Sequence, residues 1–97
     1  MRIKLEKYLD KKIEVQATYK NYAITNNRRH DLFLNVCLND EEVSNHIWIK
    51  LKKSQQKKLK KKIRYTIEGT VKIYYKNSKD SDEKIMDYCL QDVEIKF

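Results

Sequence analysis

His46-Ile47-Trp48-Ile49-Lys50-Leu51 alternates without a break: Ile47, Ile49 and Leu51 share one parity, and His46, Trp48 and Lys50 share the other. Successive side chains of a β-strand point to opposite faces, so a strand here buries the branched residues and turns the indole outward. Trp48 is the only tryptophan of the chain. A large ring on the outer face of a sheet, between an imidazole and an ammonium, has the form of a base-stacking platform. The plainer reading is an outer-face aromatic covered by the chain's own loop or helix.

Working outward, the same period-two pattern recurs in β-branched and aromatic residues. Upstream, Ile13, Val15, Ala17 and Tyr19 share a face, with Glu14, Gln16, Thr18 and Lys20 on the other. The phase then slips to Tyr22 and Ile24, which predicts a bulge or sharp bend near Lys20-Asn21. A second run is expected to bury Leu32, Leu34, Val36 and Leu38 and to turn Phe33, Asn35 and Cys37 outward. Asn39-Asp40-Glu41-Glu42 reads as the turn into the third run, Val43 to Leu51.

Downstream, Ile63, Tyr65, Ile67, Val71 and Ile73 share a parity interrupted by Gly69, the chain's single glycine. Glycine inside a strand marks a bend or a close backbone approach. A polar loop is expected over residues 77–83. The last run changes phase between Tyr88, Leu90 and Val93, Ile95, Phe97. Such phase shifts imply sharply coiled strands, as a small closed barrel requires. Between the third and fourth runs, Ser54 is the expected N-cap of a helix over residues 55–62, with Leu59 as its main apolar anchor. Arg2 to Leu9 reads as a short strand or helical turn that docks Leu5, Tyr8 and Leu9.

The chain has 97 residues, which suits one small domain over residues 1–97 with a single modest core. Lys plus Arg is 22 against 14 acidic residues, a formal charge of +8, which favours a polyanionic partner, nucleic acid before membrane. One glycine excludes phosphate-cradling loops of the GxGxxG or GxxxxGK[ST] type. Two cysteines, Cys37 and Cys89, build neither a disulfide framework nor a zinc site alone, and His30 and His46 show no ligand spacing. No signal peptide or membrane span is visible, so a cytoplasmic protein with free thiols, no metal and no cofactor is expected. Abundant Lys, Asn, Ile and Tyr with no proline fit AT-rich codons, and hence a low-GC bacterium or a phage, plasmid or other mobile element.

The order strand, strand, strand, helix, strand, strand, with glycine in the fourth strand, resembles the OB-fold superfamily. Leu5 to Val15 looks like an approach into a first OB strand, and Ile67 to Tyr75 followed by Tyr88 to Ile95 is similar to the fourth and fifth. The resemblance covers nearly the whole chain and rests on pattern. It implies an all-β, five-stranded Greek-key barrel with one helix between strands three and four. The first strand lacks the glycine common at its bend, and an SH3-like barrel is the alternative. The resemblance also implies where ligands sit: the outer face of strands two and three, and the loops joining strands one-two and four-five.

On that face the alternation places Phe33, Asn35, His46, Trp48 and Lys50. The first loop, residues 26–30, supplies Arg28 and Arg29, and near the other Tyr74 and Lys76 are outward. Bases of a single strand would stack on Trp48, Phe33 or Tyr74, each stack being worth about 1–3 kcal/mol. Arg28, Arg29 and Lys50 would follow the phosphates, and Asn35 would meet a base edge. The lysine run from Lys50 to Lys62 is either a landing strip for phosphates or a solvated helix face. No catalytic set is recognisable, so the expected function is binding of single-stranded nucleic acid, DNA before RNA, with little sequence preference, by a monomer or homodimer. The competing expectation is a surface for a host or replication protein, because Trp, Tyr and Arg also dominate protein hot spots. A module for folded RNA is a third.

Overall fold

In the computed structural model, which describes residues 3–77 and 84–97, the alternating runs form five antiparallel strands. They are β1 (Lys12–Thr25), β2 (Arg28–Leu38), β3 (Glu41–Ile49), β4 (Arg64–Asn77) and β5 (Lys84–Lys96). A four-residue helix, α1 (Lys53–Gln56), joins β3 to β4, and a 3₁₀ helix (Ile3–Tyr8) precedes β1. The strands lie in one sheet in the order β3-β2-β1-β4-β5. Most of the loop expected over residues 77–83, from Ser78 to Glu83, lies outside the described residues, as do Met1 and Arg2.

The sheet is open, against the expectation of a closed barrel. Its edges, β3 and β5, come into contact without joining as a ladder. Other elements fill the seam between them. Gln55 of α1 is buried and donates from Nε2 to the Val93 carbonyl at 3.1 Å, tying α1 to β5. The 3₁₀ helix touches both edge strands, and Lys4 Nζ donates to the Glu42 carbonyl at 3.2 Å. An edge strand covered in this way offers less free backbone to neighbouring chains. Leu5 is fully buried and Tyr8 and Leu9 pack on the core, as the helical-turn reading of this segment expects.

The inner face is continuous: Val15, Ala17, Phe33, Val36, Ile47, Ile49, Ile67 and Val71 are fully buried. β3 keeps the expected phase, with Ile47, Ile49 and Leu51 inside and Trp48 outside. β2 does not. Phe33 and Asp31 are fully buried, whereas Leu32 and Leu34 lie half-buried on the outer side. The phase changes at Asn35, which takes the left-handed conformation (φ 52°) and forms a bulge between the pairs Gln16↔Cys37 and Thr18↔Leu34. Val36 therefore points inward as expected, while the residues before Asn35 are reversed. Arg64 holds this bulge, donating to the Asn35 carbonyl at 2.9 Å, the Gln16 carbonyl at 3.2 Å and Thr18 Oγ1 at 3.1 Å.

Other phase slips are absorbed where the sequence places them. β1 bulges at Lys20, between the pairs Tyr19↔Phe33 and Asn21↔Leu32. β5 bulges at Asp92 (φ 53°), opposite Gly69, so that Leu90 and Val93 both point inward. A Cβ on Gly69 would stand 3.2 Å from both Leu90 Cβ and Val93 Cγ2, so the bulge and the missing side chain belong together. Among the described residues, eight non-glycine residues have positive φ, and all but Lys62 are Asn or Asp. In a chain with one glycine, these two residue types take the left-handed positions that glycine usually fills. Asn26-Asn27 and Asn39-Asp40 each have two consecutive positive φ values, which makes them tight two-residue hairpin turns.

The helix expected over residues 55–62 is shorter, and Lys52, rather than Ser54, is its N-cap. From Lys57 to Lys62 only Leu59 is apolar, so a longer helix would gain little burial while aligning like charges. The chain instead turns back onto β1. Lys60 N–H donates to Tyr65 Oη at 2.8 Å, and Lys62, at φ 69°, donates to the Tyr19 carbonyl at 2.8 Å. Ile63 consequently falls outside the inner face and is exposed.

Candidate functional site

Pairing register defines the outer face around Trp48. Trp48 stands opposite Leu32, which stands opposite Asn21. On one side the next outward row is His46, Leu34 and Thr18. On the other side, His30 lies opposite Ala23, Arg28 opposite Thr25, and exposed Lys50 follows β3. Trp48 is 38% exposed, enough to offer ring surface while its remainder packs on the sheet. The His46 ring nitrogen Nδ1 lies 2.6 Å from Asn45 Oδ1.

The expected companions of Trp48 are partly different residues. Phe33 is on the inner face, its ring tilted at 54° against Tyr19 with centroids 5.3 Å apart, so it offers no stacking surface. Asn35 is exposed but belongs to the bulge held by Arg64. Leu32 and Leu34 take their places beside Trp48. Residues 28–30 are in β2, the turn being Asn26-Asn27 alone. Strand alternation therefore separates the two arginines: Arg28 shares the face of Trp48 and Arg29 the opposite one.

Arg29 is committed on that inner side. Its Nε and Nη2 donate to Asp31 Oδ1 at 3.3 and 2.9 Å, and its guanidinium lies 4.0 Å from the Tyr22 ring centroid. Tyr19 Oη donates to the same Asp31 oxygen at 2.8 Å. A buried carboxylate requires such donors, because an unpaired buried charge is costly. Burial, and then the hydrogen bond to Asp31, push the Tyr19 hydroxyl up to about 12. The hydrogen bond to Asp31 likewise holds Arg29 above its ordinary value. Asp31 Oδ2 is buried without a hydrogen bond.

Tyr74 and Lys76 lie together, but near the other end of β4, beyond Thr70, which pairs with Lys12. Their partner is the buried Asp87 of β5: Lys76 Nζ lies 3.0 Å and Tyr74 Oη 3.5 Å from its Oδ2. The pairing register does not bring them to the Trp48 rows.

Charge is unevenly distributed. Lys12, Lys72 and Lys96 pair with Glu68, Asp10 and Glu14 at 2.7–2.8 Å. Between Val43 and Arg64 the sequence contains no carboxylate, and among the described residues no lysine from 50 to 62 has an ion pair. This basic segment begins directly after the Trp48 strand and ends beside the β1 bulge. A shallow cavity lies at the seam, lined by Lys50, Lys52, Gln55, Asp92 and Glu94 with Leu51 and Val93.

Sequence reasoning missed Leu32, Leu34, Tyr22, Asp31 and Arg64. The available signal was Asn35, a residue suited to a left-handed bulge inside an otherwise regular run. Among the described residues no three His, Cys, Asp or Glu side chains cluster as a metal site, and no helix is long and apolar enough to cross a membrane. No protein-family model, curated protein or solved structure matches the chain.

Proposed function

We propose that this protein is an OB-fold-like module that binds single-stranded nucleic acid, DNA before RNA, with little sequence preference, on the outer face of β1–β3. The observation that carries the reading is Trp48, exposed between His46 and Lys50, in a stretch where the rows Asn21–Leu32–Trp48 and Thr18–Leu34–His46 hold no carboxylate, and continued by an unpaired lysine segment. A base stacks on the indole, Leu32 and Leu34 support its apolar edge, and Arg28, Lys50 and the following lysines hold the phosphates. The strand order and the position of α1 between β3 and β4 support an OB-like arrangement, a partly open barrel being within that fold's range.

Titration with oligo-dT tests the reading. It should quench Trp48 fluorescence, and affinity should fall by roughly 0.7 log units per contacted phosphate for each tenfold rise in salt. Unchanged fluorescence with no complex at low salt would refute it. A protein partner is the second reading, favoured by the half-buried Leu32 and Leu34 beside Trp48. It predicts a complex that survives high salt and is lost on Trp48→Ala.

A further inference from the structure

Beyond Tyr19 the sheet loses β4, because the β1–β4 pairing ends at Thr18↔Arg64. The tip of the β1–β2 hairpin therefore overhangs the core, and its inward-parity residues Tyr22 and Ile24 are 51% and 64% exposed. On this overhang the Arg29 guanidinium covers one face of the Tyr22 ring. Its position is set from beneath: two of its N–H groups bind Asp31, which is itself fixed by Tyr19 and fully buried. Among the described residues, Nη1 of Arg29 makes no hydrogen bond. A planar cation locked over a phenol is ordered before any ligand arrives, which lowers the entropic cost of binding.

We propose that Tyr22 and Arg29, positioned by Asp31, form a second base-binding site, so that one strand passes from Trp48 around the hairpin to its inner side. The proposal rests on the nucleic-acid reading above. A base stacks on the open side of Tyr22, and Arg29 Nη1 meets the adjoining phosphate. Charge complementarity favours a polyanion over a peptide. The hairpin carries Lys20, Arg28 and Arg29, and its one carboxylate from Lys20 to Leu38, Asp31, is buried against Arg29.

The test is a series of oligo-dT lengths titrated against wild type, Tyr22→Ala, Arg29→Gln and Trp48→Ala. Tyr22 is half exposed, so Tyr22→Ala should fold, as a thermal melt would verify. Expected is a loss of about tenfold in affinity for long oligonucleotides in Tyr22→Ala and Arg29→Gln. The loss should vanish for the shortest oligonucleotide that still quenches Trp48, a length dependence that a folding defect would not give. If both variants bind every length like wild type while Trp48→Ala is impaired, the second site is refuted. Wild type that binds no oligonucleotide overturns the nucleic-acid reading itself, and the second site with it.

Discussion

The two halves of the sheet meet water in different ways. On the outer face of β4, β5 and the start of β1, cations meet carboxylates: Lys12 with Glu68, Lys72 with Asp10, Lys96 with Glu14 and Lys76 with Asp87, all at 2.7–3.0 Å. On the outer face of β2 and β3, Leu32, Leu34 and Trp48 are partly open to solvent beside Arg28 and Lys50, with no carboxylate in their rows, exposed Glu42 lying farther along β3 opposite Cys37. The first face is complete in itself, although each exposed pair adds less than about 1 kcal/mol. The second leaves apolar surface and cations unmatched, an arrangement that a partner with a flat ring and negative charge would complete.

The sharpest way to break this comparison is to test which side chains of β2 point outward. Phe33→Ala should cost about 3–5 kcal/mol in denaturant unfolding, because it empties a fully buried aromatic site against Tyr19. Leu32→Ala, on the half-buried outer side, should cost about 1 kcal/mol. A larger loss for Leu32→Ala would restore the opposite phase and remove the apolar patch beside Trp48.

The inner side of the same hairpin has a pH signature. The folded chain holds the Tyr19 proton up to about pH 12, whereas an unfolded tyrosine releases it near 10. The native state therefore binds more protons across this window, and stability is retained below pH 10 and lost as pH rises toward 12. The loss should be on the order of 2 kcal/mol in alkaline unfolding curves. Tyr19→Phe should remove this component while costing stability at neutral pH, since Asp31 loses a donor. An unchanged alkaline transition in Tyr19→Phe would separate Tyr19 from the Asp31 cluster.

Trp48→Ala separates the face from the fold. With 38% of Trp48 exposed, unfolding stability should change by clearly less than the about 3–5 kcal/mol of a fully buried tryptophan. Oligo-dT binding should weaken by about 1–3 kcal/mol, read by anisotropy of a labelled oligonucleotide. Comparable binding by Trp48→Ala would assign the stacking role elsewhere.

How far the sequence could be read depended on which signal governed each element. Regular alternation located all five strands, the phase of β3 and the slips at Lys20 and before Val93, because in those stretches burial alone decides which side chain points inward. It failed on β2, where two leucines should outrank a phenylalanine and an aspartate for the interior. Phe33 instead packs on Tyr19, Asp31 is satisfied by Tyr19 and Arg29, and Asn35 absorbs the extra residue. Those contacts join β1 to β2, and no single strand's periodicity records them. The helix failed for a related reason: propensity favoured Gln55 to Lys62, but one leucine cannot anchor two turns against the bonds of Lys62 N–H to the Tyr19 carbonyl and of Tyr19 N–H to the Ile63 carbonyl. Trp48 was placed correctly. Of its expected neighbours, His46, Lys50 and Arg28 share its side, whereas Phe33 and Arg29 sit on the other face.

The smallest effects distinguish lysines that look alike in sequence. Lys72 is held by Asp10 at 2.8 Å on the paired face, and that contact raises its pKa. Lys57 and Lys58 follow α1 and have no carboxylate partner among the described residues. Lys72→Gln should leave the salt dependence of oligonucleotide binding unchanged. Replacing Lys57 and Lys58 by Gln should reduce the slope of log affinity against log salt by roughly 0.7 for each phosphate contact removed. Fold stability should shift by only a few tenths of a kcal/mol in either case, since Lys57 and Lys58 are exposed and the Lys72 side chain is partly so. If the paired lysine changes the slope as much as the unpaired ones, binding follows net charge alone, and the difference between the two faces has no functional meaning.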